Sequence, residues 1–166
     1  MDASLYSRPH KKRHIEIKKR SAAPERALTP IPDVVTVDSA TECHVTPPDV
    51  ARRMADYLGR VGDESVLEPH AGTGNLIHAL IQTDYSSQQI TAVERNISLC
   101  DIIKNRFSER NIAPINECFF TYAKYTLEQQ RFSRIIMNPP FKQVKKHMTA
   151  ALSLLDSDYS EATLVA

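Results

Sequence analysis

Two short segments hold residue types able to do chemistry. The first is Val66-Leu67-Glu68-Pro69-His70-Ala71-Gly72-Thr73-Gly74-Asn75-Leu76. Its glycines remove Cβ atoms, so a ligand can approach the backbone closely. Glu68 puts an acid just ahead of the turn. The loop is too short to cradle a phosphate chain, and no Gly-Lys-Ser/Thr follows it. A second acid, Glu94, closes the run Thr91-Ala92-Val93. A carboxylate there can accept both hydroxyls of a ribose. The second segment is Ile135-Ile136-Met137-Asn138-Pro139-Pro140-Phe141. The amide of Asn138 can accept from an amine and donate elsewhere. The backbone carbonyl of Pro139 offers a second acceptor. Two prolines fix the backbone and remove two N–H donors. Phe141 can stack on a planar group. The set suits a planar amino or amide nitrogen that must be held and made nucleophilic.

Such segments need elements to position them. Val50, Met54, Leu58 and Val61 share one helical face, with Pro47 and Pro48 at its start. Ser65-Val66-Leu67 is a short apolar run and predicts a buried strand. Leu76, Ile77, Leu80 and Ile81 predict the next helix, and 89–93 a second strand. Leu99, Ile102, Ile103 and Phe107 form another stripe. A third strand is expected over 116–120, a fourth over 132–137 and a fifth from 162 to 165. Met148, Leu152 and Leu155 mark the helix between the last two. Strands alternating with helices predict an α/β fold, a doubly wound parallel sheet with helices on both faces. Ligands bind beyond the carboxyl ends of strands in such sheets. Both chemical segments follow strands on that edge.

The 166 residues suggest one domain, with 42% hydrophobic and 25% charged residues. The formal net charge of +1 hides an asymmetry. Arg8, Lys11, Lys12, Arg13, Lys18, Lys19 and Arg20 against Asp2 and Glu16 give the first twenty residues +5, leaving −4 on the remainder. Such a run either displaces counterions from nucleic-acid phosphates or is a solvated tail. Pro24, Pro30 and Pro32 then predict an extended connector, so residues 1–40 form a basic, flexible arm and linker, and 41–166 the folded domain. No apolar run reaches the roughly 20 residues that span a bilayer, and no signal peptide is present. Cys43, Cys100 and Cys118 lie far apart, which suggests reduced thiols, a cytoplasmic setting and no metal site.

Taken together, Leu67 to Gly74 and Asn138 to Phe141 resemble the motifs of a class I S-adenosylmethionine-dependent methyltransferase. The resemblance is strongest to the N6-adenine DNA methyltransferases, including plasmid- or phage-borne ones. Their catalytic Asp/Asn-Pro-Pro-Tyr/Phe is matched by Asn138-Pro139-Pro140-Phe141. Their upstream Thr-Pro is matched by Thr46-Pro47 ahead of Val50, Ala51 and Met54, which gives the γ-like motif order. The match runs from Thr41 to the C-terminus. It implies a Rossmann-like sheet and S-adenosylmethionine as cofactor. Thr46 resembles the position that touches the methionine carboxylate. Glu68 resembles the acid that orders the methionine amino group. Pro69, His70, Ala71, Gly72, Gly74 and Asn75 belong to the loop under the cofactor. Glu94 resembles the ribose acid, with Arg95 and Asn96 near the adenine.

Three departures stand out. His70 replaces the small residue, usually serine, before Ala-Gly-Thr-Gly. Where the family often has Asp-Phe against the adenine amine, this chain has Cys118-Phe119, with Glu117 one residue early. A one-residue shift in a strand turns a side chain to the opposite face. The chain also stops inside the fifth strand, where the family's sheet continues with a sixth and an antiparallel seventh. Either the sheet is minimal or the chain is a fragment. The resemblance implies methylation of adenine N6 in DNA or RNA, with nucleic acid held by the basic arm. The alternatives are methylation of a protein glutamine amide and a non-catalytic binding module.

Overall fold

The computed structural model describes residues 12–16, 34–38, 44–59 and 61–166. Two strands, β1 (Lys12–Glu16) and β2 (Val34–Asp38), pair antiparallel with Lys12 opposite Asp38. The rest of the expected arm and linker lies outside the described residues. The body then runs α1 (Pro48–Tyr57), β3 (Val66–Glu68), α2 (Asn75–Gln82), β4 (Ile90–Glu94), α3 (Ile97–Arg106), β5 (Ile115–Asn116), α4 (Phe119–Thr126), β6 (Arg134–Ile136), α5 (Val144–Leu154) and β7 (Thr163–Val165).

The five body strands are parallel, in the order β5-β4-β3-β6-β7. Strand β3 is therefore the turning point: the chain steps outward through β4 on one side and later through β6 on the other. A crevice opens beyond the carboxyl ends at such a reversal. Glu68 ends β3 and Asn138 follows β6, with Leu67 beside Ile135 in register. The topology thus brings both chemical segments to one edge.

Buried apolar strands are expected where helices cover both faces. Val66 and Ile136 point into one core with Leu76, Ile77 and Leu80 of α2, Ala51 and Ala55 of α1, and Ile103 of α3. Leu67 and Ile135 point into the other, with Phe119 and Ala123 of α4 and Ala151 and Leu154 of α5. The period-two alternation of adjacent apolar residues feeds both layers. The fold is the doubly wound α/β sheet expected, with β7 as its last strand in the chain.

The third strand is shorter than predicted. Pairing stops at Asn116, and Phe119 opens a helix instead of extending β5. Phe119 and Ala123 are four apart and buried on the same face. A short apolar run alone does not distinguish strand from buried helix. At the opposite edge of the sheet, Arg134 is buried. It bonds the Thr163 hydroxyl at 2.9 Å and pairs with Glu64 at 3.6 Å and Glu161 at 3.3 Å. These contacts tie β6 to β7 and to the segment ahead of β3. No helix among the described residues is long and apolar enough to cross a membrane.

Candidate active site

Beyond the carboxyl edge lies a cavity of about 350 Å³. Its walls come from five places in the chain. Pro69, His70 and Gly72 come from the turn after β3; Glu94, Arg95 and Leu99 from the end of β4 and α3. Glu117, Cys118, Phe119 and Phe120 join from the β5–α4 junction. Asn138, Pro139, Pro140, Lys142 and Gln143 follow β6, and His147 reaches in from α5. His44 closes the side nearest α1.

The turn after β3 is held by the two acids. Glu94 Oε2 accepts the Gly72 N–H at 2.8 Å, and Oε1 accepts the Asn96 N–H at 2.7 Å. Burial pushes its carboxyl pKa upward, against the pull of these backbone donors. An ionised carboxylate has about four acceptor sites, so Glu94 keeps capacity for two hydroxyls. Glu68 is fully buried. Its Oε1 accepts the His70 N–H at 2.9 Å, while Oε2 has no partner. Burial raises its pKa to about 8, with a smaller contribution from the charge of Glu94.

Glu68 is not part of the cavity wall; its neighbours Pro69 and His70 are. Thr46, Ala71, Gly74 and Asn75 also stand behind the wall. Asn75 donates to the Thr46 carbonyl at 2.7 Å and accepts from Arg106 at 2.8 Å. Gly74 caps α2 in a left-handed conformation, φ 84°, and a Cβ there would lie 2.7 Å from Phe107. What approaches this glycine is the Phe107 ring, not a ligand.

Asn138 is fixed by its amide nitrogen. Nδ2 donates to the Thr46 hydroxyl at 3.1 Å and weakly to the His44 carbonyl at 3.4 Å. Oδ1 is the side chain's acceptor, and Asn138 lines the cavity. Phe141 is 70% exposed and lies outside the cavity wall, with its ring 4.6 Å from that of His44.

Glu117 and Cys118 both reach the cavity. The strand ends at Asn116, so the two-face alternation that separates neighbours in a strand no longer applies to them. The Cys118 N–H donates to Glu117 Oε1 at 2.7 Å. Asn96 caps α3, accepting from Ser98 and Leu99.

Sequence reasoning missed the aromatic wall. His70 Nε2 and His147 Nδ1 share a hydrogen bond of 2.9 Å. His147 stacks on Phe120 at 4.3 Å, and Phe119 meets His70 edge-on at 5.0 Å. Burial drives the His70 pKa down to about 3, helped by His147, so the ring is neutral. These contacts join residues 77 positions apart, which no local pattern reports.

The model of the methyltransferase small domain family matches residues 50–159. No curated protein matches the chain by sequence. Several solved structures share its fold. The O-methyltransferase from Bacillus cereus in complex with SAH is 14% identical, with TM-score 0.54, over 68% of this chain and 53% of that one. The SAM-dependent methyltransferase from Agrobacterium tumefaciens is 12% identical, with TM-score 0.51, over 69% and 43%. PH1948 from Pyrococcus horikoshii, assigned by its describers as a candidate RNA methyltransferase, is 21% identical, with TM-score 0.51, over 66% and 57%. The chain spans about half the length of these structures. A glycine turn at β3, an acid ending β4 and a family match over 50–159 lead to one conclusion: the chain belongs to the methyltransferase small domain family, whose cofactor is S-adenosylmethionine.

Proposed function

We propose that the chain methylates an exocyclic amino nitrogen, and that this nitrogen is N6 of adenine in DNA or RNA. The observation that carries the reading is the pinned amide of Asn138. With Nδ2 committed to Thr46, the atom left for a substrate is an acceptor, which calls for an N–H on the substrate.

The residues fit the cofactor. Glu68, behind the wall formed by Pro69 and His70, has a buried carboxyl oxygen without a partner, which suits ordering the methionine ammonium through a bridging water. Glu94 has acceptor capacity for the ribose, and Arg95, Glu117 and Cys118 line the adjoining wall for the adenine. Thr46 acts through Asn138 and Asn75. When bound, S-adenosylmethionine supplies a sulfonium-activated methyl group that needs no acid catalyst to leave.

The chain's own residues hold the acceptor. Asn138 Oδ1 and the Pro139 carbonyl accept the two N–H bonds of the amine. Those bonds favour a pyramidal nitrogen and release its lone pair from the ring. Pro139 and Pro140 bring no competing N–H and fix the loop, so the acceptors are in place before the substrate arrives. An adenine in duplex DNA must first leave the stack. The basic arm remains a proposed phosphate contact, supported by its +5 charge.

Incubating the protein with tritiated S-adenosylmethionine and DNA, RNA or protein separately tests the reading. The expected result is label in N6-methyladenine after nuclease digestion. Label in protein glutamine alone overturns the substrate, and cofactor binding without transfer to any of the three overturns the enzyme.

A further inference from the structure

The segment after the catalytic loop is uniformly basic. Between Asn138 and Leu155 the chain has Lys142, Lys145 and Lys146 and no aspartate or glutamate. All three lysines are exposed, and Lys142 also lines the cavity. Gln143 adopts a left-handed conformation, φ 59°, that turns the chain sharply into α5. Lys145 and Lys146 then fall in the first turn of that helix, where the macrodipole opposes a cation. They make no salt bridge among the described residues, so neither helix stability nor an ion pair accounts for them. Phe141, next to Lys142 in sequence, is also exposed.

We infer that Phe141, Lys142, Lys145 and Lys146 form a cationic lip at the cavity mouth that grips the sugar–phosphate backbone of the nucleic-acid substrate. The inference rests on the nucleic-acid reading above and adds a contact on the folded body, separate from the arm. An exposed aromatic followed by three exposed lysines in one short segment suits a strand that carries both flat bases and phosphates. An acidic peptide would satisfy the lysines but has no flat base to cover the exposed face of Phe141, whose ring is otherwise tilted against His44. The lip positions the strand without reading its sequence, because charge contacts carry no base information.

The test uses the full chain and the double variant Lys145→Gln with Lys146→Gln, neither of which lines the cavity. Binding to labelled adenine-containing oligonucleotides is titrated against salt. Each lost duplex phosphate contact lowers the slope of log affinity against log salt by about 0.9, so the double variant loses about 1.8. Between about 50 and 200 mM salt, wild type then loses about 12-fold more affinity than the variant. The Lys145→Arg, Lys146→Arg pair restores the slope, and calorimetric S-adenosylmethionine affinity stays at wild type in all variants. An unchanged slope in a wild-type background that methylates adenine overturns the lip and leaves the proposed reaction standing. A wild-type chain that methylates only protein and binds no oligonucleotide overturns both.

Discussion

Asn138 and Glu68 face opposite problems. The amide has its donor satisfied and its acceptor waiting; the carboxyl is buried with one oxygen unused. Asn138→Ala removes the acceptor without touching the wall around Glu94. Transfer is expected to vanish while calorimetric cofactor binding persists; transfer at the wild-type rate would remove Asn138 from the mechanism. On the proposed role of Glu68 beside the methionine ammonium, cofactor binding is expected to depend on pH. The Glu68 carboxyl holds its proton up to about pH 8, whereas an ammonium partner requires the carboxylate. Cofactor affinity therefore falls as pH drops below about 8, by at most about tenfold per unit. Titration between about pH 6 and 9 checks this, and Glu68→Gln flattens the profile. A wild-type affinity independent of pH in that range would place the methionine end elsewhere.

At the scale of elements, the turn after β3 and the end of β4 act as one unit. Glu94→Ala strips acceptors from Gly72 and Asn96 together and is expected to weaken S-adenosylmethionine binding by roughly 1–3 kcal/mol. Unchanged affinity by calorimetry would clear Glu94 of the site. Gly74→Ala forces a Cβ into a left-handed position against Phe107. A loss of about 1–3 kcal/mol in urea unfolding is expected, because α2 and the Phe107 ring must move apart. The strand–turn–helix units around Glu68 and Glu94 were legible in the sequence, since apolar runs ending in glycine or acid mark them locally. The β5–α4 junction was not, because Phe119 and Phe120 suit a strand as well as a buried helix. The register argument about Glu117 lapsed with it. His44, His147 and the Phe120 stack were invisible for a different reason: they meet only once the sheet has brought α5 over the turn after β3.

Across the whole molecule, charge is buried at both edges of the sheet. Arg134 at the amino edge holds Glu64 and Thr163 together, and Arg134→Ala leaves Glu64 without its cation. Because Glu64 is only partly buried and keeps the Tyr159 hydroxyl, the cost falls below that of breaking a fully buried pair and reads as a lower urea midpoint. At the carboxyl edge, His70 takes up a proton only near pH 3 in the folded state, against 6.5 for an ordinary histidine. The unfolded chain binds more protons at this position in between, so the His70 contribution to stability is complete above about pH 6.5 and declines as pH falls from there. Glu68, with its carboxyl pKa raised, acts in the opposite sense as pH rises towards about 8, so the check is the difference in melting temperature between wild type and His70→Ser, which should shift in favour of His70→Ser as pH falls from about 7 to 5. The bond between Asn138 and Thr46 has a consequence for which sequences this fold can accept. The catalytic position of such motifs is written as either aspartate or asparagine. Here the amide nitrogen donates to the Thr46 hydroxyl and to the His44 carbonyl. The hydroxyl can turn and donate to an ionised aspartate, but the carbonyl has no hydrogen to offer and would confront its charge. The two spellings of the motif are thus not synonyms in this chain, and what separates them is a backbone oxygen 94 residues upstream.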